Sequence, residues 1–302
     1  MKELFKNISK ERGNIKMAVV MDGKQLAKKI RNNLKIECEE LKEKGIKPKL
    51  AVIMVGNNNA SKVYVKNKSK ACEEVALEFE EFLLGEETAQ EDLENLIEDL
   101  NKNEKIHGIL LQSPIPKNLD INKAFGKIAP EKDVDGFHPY NIGNLALNKD
   151  TFVPCTPFGI MKMLEEYNID LNGKHVVIIG RSNIVGRPLI QCCLNKNATV
   201  TICHSRTKNL DEHTRRADIL IAALGKPNFV KQEMVREGAV VIDVGINRLE
   251  DGKIVGDVEF ENVEKKAGYI TPVPGGVGPM TIAMLMNNCI KAAKNIKENK
   301  EE

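Results

Sequence analysis

The chain predicts an α/β protein of two domains, the second a Rossmann-type nucleotide-binding domain. Three observations carry this. The 302 residues suffice for two domains of ordinary size. Short apolar runs alternate with amphipathic helical stretches, the pattern of parallel sheets covered by helices. Residues 176–188 are a buried strand, a glycine turn and a helix start in succession, from Val176 through Gly180 and Gly186 to Pro188.

The elements follow in order. Residues 1–16 are polar and lysine-rich and read as an extension ahead of the fold, since Met17 precedes the first apolar run. Buried strands are predicted at 50–55 and 108–111 in the first half, and at 176–179, 199–203, 219–223 and 240–244 in the second. Helical patterns lie at 23–44, 61–75, 89–102, 157–167 and 187–195. The domain boundary is placed near Asp150, where polar residues precede Pro154-Cys155-Thr156-Pro157; a proline suits the first turn of a helix. The first domain is thus 17–150 and the second 151–278. A last helix, 279–297, is expected to pack back on the first domain.

Composition narrows the function. The chain is 42% hydrophobic and 29% charged, as soluble globular proteins are. Lys plus Arg number 45 against 43 Asp plus Glu, a net charge of only +2. No basic block with interleaved aromatics is present, which argues against a nucleic-acid partner. Seven cysteines without a C-x-x-C pair indicate free thiols in a reducing, cytoplasmic compartment, and no metal-ligand cluster is visible. The N-terminus has no apolar signal core. The long uncharged stretch 267–290 is broken by Pro272, Pro274, Pro279, Gly275, Gly276 and Gly278, so a membrane span is not expected. A glycine-rich, uncharged loop suits close approach to a ligand or to neighbouring backbone.

Lys68 is the most informative single residue. At about 100° per residue, Tyr64, Lys68, Ala71, Cys72 and Val75 share one helical stripe, while Lys62, Lys66 and Lys70 lie opposite. A lysine on an apolar stripe either snorkels to a nearby surface or is desolvated. Desolvation disfavours its charge and lowers its pKa, one route to an acid/base at neutral pH.

The turn after residues 176–179 departs from G-x-G-x-x-G. Ser182 replaces the second glycine and Gly186 comes one residue late. Gly180, Arg181, Ser182, Ile184, Val185 and Gly186 nonetheless sit where a helix N-terminus would meet a pyrophosphate. An NAD site places an acid about 20 residues downstream to hold the ribose hydroxyls. Here the strand 199–203 ends in His204, Ser205 and Arg206, with no acid before Asp211. A hydroxyl and guanidinium groups, Arg181 included, suit a 2′-phosphate, so NADP is favoured. Two further strand-end turns, at Ala223 and Gly225 and at Gly245, Ile246 and Asn247, are placed to line the nicotinamide side.

Several segments together resemble one family: Asn59-Ala60-Ser61 with Tyr64 and Lys68; Gly108 to Pro116 around Gln112; Lys132-Asp133-Val134-Asp135-Gly136-Phe137-His138-Pro139; Pro154-Cys155-Thr156-Pro157; Gly180 to Gly186; and Pro272 to Thr281. Over residues 17–290 the chain resembles the bifunctional methylenetetrahydrofolate dehydrogenase/cyclohydrolase family. The resemblance implies an N-terminal folate-binding catalytic domain, a C-terminal NADP domain, a cleft between them, and a homodimer paired through the nucleotide domains. It implies oxidation of 5,10-methylene-tetrahydrofolate and hydrolysis of the product to 10-formyl-tetrahydrofolate, within one-carbon metabolism.

By resemblance, Lys68 is the general acid/base, Gln112 hydrogen-bonds it, Tyr64 stacks on the aminobenzoate ring, and Asp135 accepts from the pterin. Pro274, Gly275 and Gly276 join the folate site. Asp133 could cap its turn as well as Asp135; the family motif selects Asp135. Ser61 reads as a helix cap. Two departures stand out: Ser113 where many members carry Leu, and Ala76 where the helix usually runs into Gly. A member retaining one activity, or a silent ligand-binding regulator on the same scaffold, are the rival readings. Intact Lys68, Gln112, Asp135 and nucleotide motifs argue against both.

Overall fold

The computed structural model describes residues 17–301; the expected extension at 1–16 lies outside the described residues. The chain divides into two compact units. The first comprises residues 25–159 and 280–301, the second residues 17–24 and 160–279.

The elements begin with β1 (Val19–Val20), α1 (Gly23–Glu43), β2 (Lys49–Val55), α2 (Asn59–Glu74) and β3 (Glu78–Leu84). They continue with α3 (Gln90–Lys102), β4 (Gly108–Gln112), α4 (Ile121–Lys127), α5 (Pro139–Ala146) and α6 (Cys155–Glu166). Next come β5 (His175–Ile179), α7 (Gly186–Leu194), β6 (Thr199–Cys203), α8 (Leu210–Thr214), β7 (Ile219–Ala222) and β8 (Val240–Asp243). The last are β9 (Asn247–Arg248), β10 (Ile254–Val255), α9 (Phe260–Val263), β11 (Tyr269–Ile270) and α10 (Val277–Glu301).

In the first unit the sheet order is β3-β2-β4, all parallel. β2 is buried from Leu50 to Val55, as an unbroken apolar run must be when helices cover both faces. Ile53, Ile97 and Ile109 are fully buried in its core, so truncating any one to Ala costs about 2–5 kcal/mol. The edge strand β3 was not expected. Its sequence carries Glu78, Glu80 and Glu81, which hides the strand pattern but suits an edge left open to water.

In the second unit the order is β1-β11-β8-β7-β5-β6, again all parallel. The chain leaves β5 towards β6, then returns to the other side of β5 and continues β7, β8. The switch point therefore lies between the C-terminal ends of β5 and β7, where open α/β sheets bind ligands.

The expected domain limits need two corrections. Residues 17–24 belong with the second unit, because β1 extends its sheet: Val19 N–H donates to Gly268 and Met21 N–H to Ile270. Two residues of strand leave no readable periodicity. The division near Asp150 moves into α6, because residues 150–153 are tied to the first unit. Lys291 pairs with Asp150, Thr151 Oγ1 bonds Asn141 Oδ1 at 2.9 Å, and Asn288 Nδ2 bonds the Val153 carbonyl at 3.1 Å.

All seven cysteines are unpaired and buried. Among the described residues no helix is long and apolar enough to cross a membrane.

Candidate active site

Helix α2 is capped by Asn58, whose Oδ1 accepts from Ser61 N–H at 3.0 Å. Ser61 is therefore not the cap. Its hydroxyl is buried without a hydrogen-bond partner among the described residues. It lies seven residues before Lys68, on the same helical face. An orphaned buried hydroxyl is costly, and such groups collect where a ligand completes them.

Lys68 lies on the inward face with Ala71, Cys72 and Val75, which are buried. Its Nζ donates to Gln112 Oε1 at 2.8 Å. Gln112, at the end of β4, is buried, and its Nε2 donates to the Ser113 carbonyl at 2.5 Å. The amide is thereby held with its oxygen towards the lysine. The backbone of residue 113 does this while the Ser113 side chain is exposed, so the Leu-to-Ser departure leaves the lysine's partner in place. Burial pushes the Lys68 pKa down; attraction to Asp135 opposes this. Tyr64 stands at the margin of the stripe, 42% exposed, rather than within the buried face; an open ring is what stacking on a ligand requires.

Two aspartates lie two residues apart and differ sharply. Asp133 is buried and saturated. Its carboxylate accepts from Gly136, Phe137 and His138 N–H at 3.1, 3.2 and 2.8 Å, and from Asn141 Nδ2 at 2.8 Å. Asp135 has no such cage. It lies near the Cys155 thiol, which itself donates to the Val134 carbonyl at 3.4 Å, and feels the Lys68 charge. Burial raises its pKa from 3.8 to about 6, with Lys68 opposing and Asp133 adding to the rise. Asp135 and Lys68 both keep some solvent access while their charged ends are crowded by protein. Groups lining a depression have this combination. Asp133 thus shapes the loop, and Asp135 has acceptor capacity to spare.

Cys155 enters the sequence reading only within a quoted segment, and Asn288 not at all. Cys155 is buried against Asp135. Asn288 Nδ2, from α10, bonds the Val134 carbonyl at 2.9 Å and fixes the same loop. The asparagine pair Asn287-Asn288 within the apolar run of α10 is the available signal.

In the second unit the glycine turn joins β5 to α7. Gly180 has φ +122°, and a Cβ there would run into the Ala223 carbonyl. Only glycine lets the two strand ends of the switch point close up. Ser182 Oγ accepts from Val185 N–H at 3.2 Å, so the residue replacing the second glycine braces the turn from within. α7 has no side-chain cap. Arg181, Ser205 and Arg206 are exposed, with no side-chain partner among the described residues. His204 is instead engaged in its own loop: its N–H donates to Thr207 Oγ1 at 2.9 Å and its Nδ1 accepts from Arg206 N–H at 3.1 Å. Free guanidinium and hydroxyl groups beside an uncapped helix start fit a phosphorylated nucleotide.

The turns at Ala223–Gly225 and Gly245–Asn247 are tied inward. Gly225 N–H donates to Asp257 at 3.0 Å, Gly245 N–H to Asp243 at 2.9 Å, and Asn247 Nδ2 to Asp257 at 2.9 Å. These donors are not available to a ligand, whereas the Ile246 side chain is exposed. The loop with Pro274, Gly275 and Gly276 is held by Lys24 N–H on the Gly275 carbonyl at 2.8 Å. Tyr64, Lys68, Gln112 and Asp135 are gathered in the first unit; the 274–276 loop belongs to the second. Among the described residues no group of three His, Cys, Asp or Glu side chains is placed to hold a metal ion.

Fold and site define a two-unit α/β protein with a partly buried lysine–amide–carboxylate cluster in one unit and a dinucleotide-type turn in the other. Comparison with known proteins gives its family. Residues 21–135 match the tetrahydrofolate dehydrogenase/cyclohydrolase catalytic domain, and residues 154–297 match that family's NAD(P)-binding domain. The chain belongs to the tetrahydrofolate dehydrogenase/cyclohydrolase family. It is 56% identical to the bifunctional protein FolD of Acetivibrio thermocellus over 277 residues, 92% of this chain and 97% of that protein. The crystal structure of the bifunctional enzyme FolD from Campylobacter jejuni is similar at TM-score 0.91 and 54% identity, covering 92% of this chain and 99% of that one. The Trypanosoma brucei enzyme, complexed with NADP cofactor and inhibitor, is similar at TM-score 0.89 and 38% identity, covering 92% and 98%.

Proposed function

We propose that this protein oxidises 5,10-methylene-tetrahydrofolate to the methenyl form with NADP⁺ and hydrolyses that to 10-formyl-tetrahydrofolate. The family and the bifunctional relatives support both activities. The observation that carries the reading is the Lys68–Gln112 hydrogen bond within a partly buried cluster that also holds Asp135.

Asp135 accepts hydrogen bonds from the pterin donor edge, and Tyr64 stacks on the aminobenzoate ring. Pro274, Gly275 and Gly276 complete the folate site. The oxidation requires placement more than proton transfer, because the two nitrogens flanking the reacting carbon stabilise the cation left behind. NADP⁺ supplies the hydride acceptor when bound. Arg181, Ser205 and Arg206 hold its 2′-phosphate, with Gly180, Ser182, Ile184, Val185 and Gly186 at the pyrophosphate. Water then attacks the methenyl carbon. Lys68, whose charged form burial disfavours, takes the proton and returns it to the leaving ring nitrogen. Gln112 keeps the ammonium aimed.

We further place the protein in the cytoplasm, on its free buried thiols, and as a homodimer acting on tetrahydrofolate derivatives. Equilibrium sedimentation tests the dimer. The function is tested by following methenyl-tetrahydrofolate absorbance with NADP⁺ and with NAD⁺, then its decay. Formation without nucleotide, or decay at the uncatalysed rate, refutes the respective activity.

A further inference from the structure

Asp257 and Asp243 form a buried pair outside the cluster around Lys68. Asp257 is fully buried between β10 and α9. Its carboxylate accepts from three successive backbone groups, Leu224 at 2.7 Å, Gly225 at 3.0 Å and Lys226 at 2.8 Å, and from Asn247 Nδ2 at 2.9 Å. Three N–H groups in a row make an anion-binding nest. Here the chain fills its own nest with a carboxylate. Asp243, at the end of β8, does the same on the other side: it accepts from Gly245, Asp257 and Val258 N–H, each at 2.9 Å. Side chains at Gly245 or Gly256 would collide with these carboxylates. The turns after β7 and β8 are thus cross-braced through one pair of aspartates.

We infer that Asp257 is a positioning residue for hydride transfer: it fixes the strand-end turns after β7 and β8 so that their carbonyls face the nicotinamide end of the nucleotide. The inference rests on the NADP reading above, and it adds a residue that no glycine motif indicates. With its N–H groups turned inward, the turn after β7 presents acceptors outward. Acceptors suit the carboxamide NH₂ of a nicotinamide and repel a phosphate. The adenine end depends on Arg181, Ser205 and Arg206, which Asp257 does not touch. The two ends of the nucleotide are therefore separable by mutation.

The test uses Asp257→Asn, which keeps the shape but sets an NH₂ against backbone donors. The turnover number for hydride transfer should fall on the order of 100-fold, the scale of a small misplacement of reacting atoms. Binding of adenosine 2′,5′-bisphosphate, which has the adenine end and no nicotinamide, should match wild type. So should methenyl-tetrahydrofolate hydrolysis without nucleotide. Unchanged hydride transfer overturns the proposal, and so does equal loss of bisphosphate binding, which marks Asp257 as merely structural. Amide exchange in the wild type is a second measurement independent of any variant. The amides of residues 224–226 should exchange as slowly as the sheet core; fast exchange there overturns the brace, whichever nucleotide the protein uses.

Discussion

Asp133 in the first unit and Asp257 in the second do the same physical work. Each is buried, each collects three successive backbone N–H groups, and each takes a fourth bond from an asparagine amide. They differ in reach. Asp133 gathers groups three to five residues ahead in its own loop. Asp257 gathers groups 31–33 residues back, with β8, β9 and β10 between. The local device leaves a trace in sequence, an aspartate before a glycine turn. The distant one leaves none, because only the sheet order brings its partners together.

The two units also divide the chemistry differently. The first gathers Lys68 and Asp135, whose charged forms burial disfavours, in one cluster. The second keeps its own burial-shifted carboxyl, Asp243, bonded inside its turns and presents exposed guanidinium groups. Four experiments break or sharpen that division, in decreasing order of effect.

Lys68→Met should abolish hydrolysis of methenyl-tetrahydrofolate, a loss of about 100- to 10,000-fold, the usual worth of an acid/base group. Nucleotide binding should persist. Hydrolysis at the wild-type rate removes Lys68 from the mechanism.

Asp135→Ala should weaken folate binding by about 1–3 kcal/mol, with nucleotide binding little changed. The ionised carboxylate is the acceptor, so in wild type the kcat/KM of hydrolysis should fall below pH about 6. That limb should vanish in Asp135→Asn. The sign for stability is opposite. A raised carboxyl pKa means folding favours the protonated form, so this group's contribution is greatest below 3.8 and is lost as pH rises through about 6. Asp135→Asn should therefore melt higher than wild type at pH 7.5 and lose that advantage near pH 4.

Arg181→Ala should raise the KM for NADP⁺ about tenfold, the lower end for a charge-assisted bond because the side chain is exposed. The KM for NAD⁺ should hardly move, and added salt should narrow the gap between the two nucleotides. Equal loss for both would reassign Arg181 to the pyrophosphate or to structure.

The smallest effect is expected at Ala76. It follows α2 with φ +58°, a left-handed conformation that L-residues adopt at a cost. Ala76→Gly should stabilise the first unit by about 0.5–1 kcal/mol, read as a shift in the denaturant midpoint at unchanged activity. A destabilised variant would show that the lost Ala76 packing outweighs the relieved strain.

These residues also mark what could be read beforehand. Lys68 was legible because a helical wheel needs no tertiary information. Gln112 and Asp135 were legible only through family motifs, and a free Arg181 only through the missing acid after β6. β3 was masked by its glutamates, and β1 was too short to show a period. The wheel placed Tyr64 in the buried stripe, although the structure leaves it at the open margin. Ser61 was read as a cap because serines often are one; Asn58 already fills that place. Asp243 opens a turn that the sequence shows, but its bonds do not follow from it, and Asp257 sits in no quoted motif; only the fold reveals the pair.

The seven buried thiols turn the chain into its own stopwatch. Cys192, Cys193 and Cys203 belong to the second unit, and Cys38, Cys72, Cys155 and Cys289 to the first. Burial lifts the pKa of Cys72, Cys192 and Cys193 to about 12, so even a thiol briefly reached by reagent is slow to react until its surroundings open. Labelling with a maleimide, followed by peptide mapping, therefore clocks the opening of each unit separately in the unmodified protein. A nucleotide that tightens one unit should slow three of the seven clocks and leave the other four running.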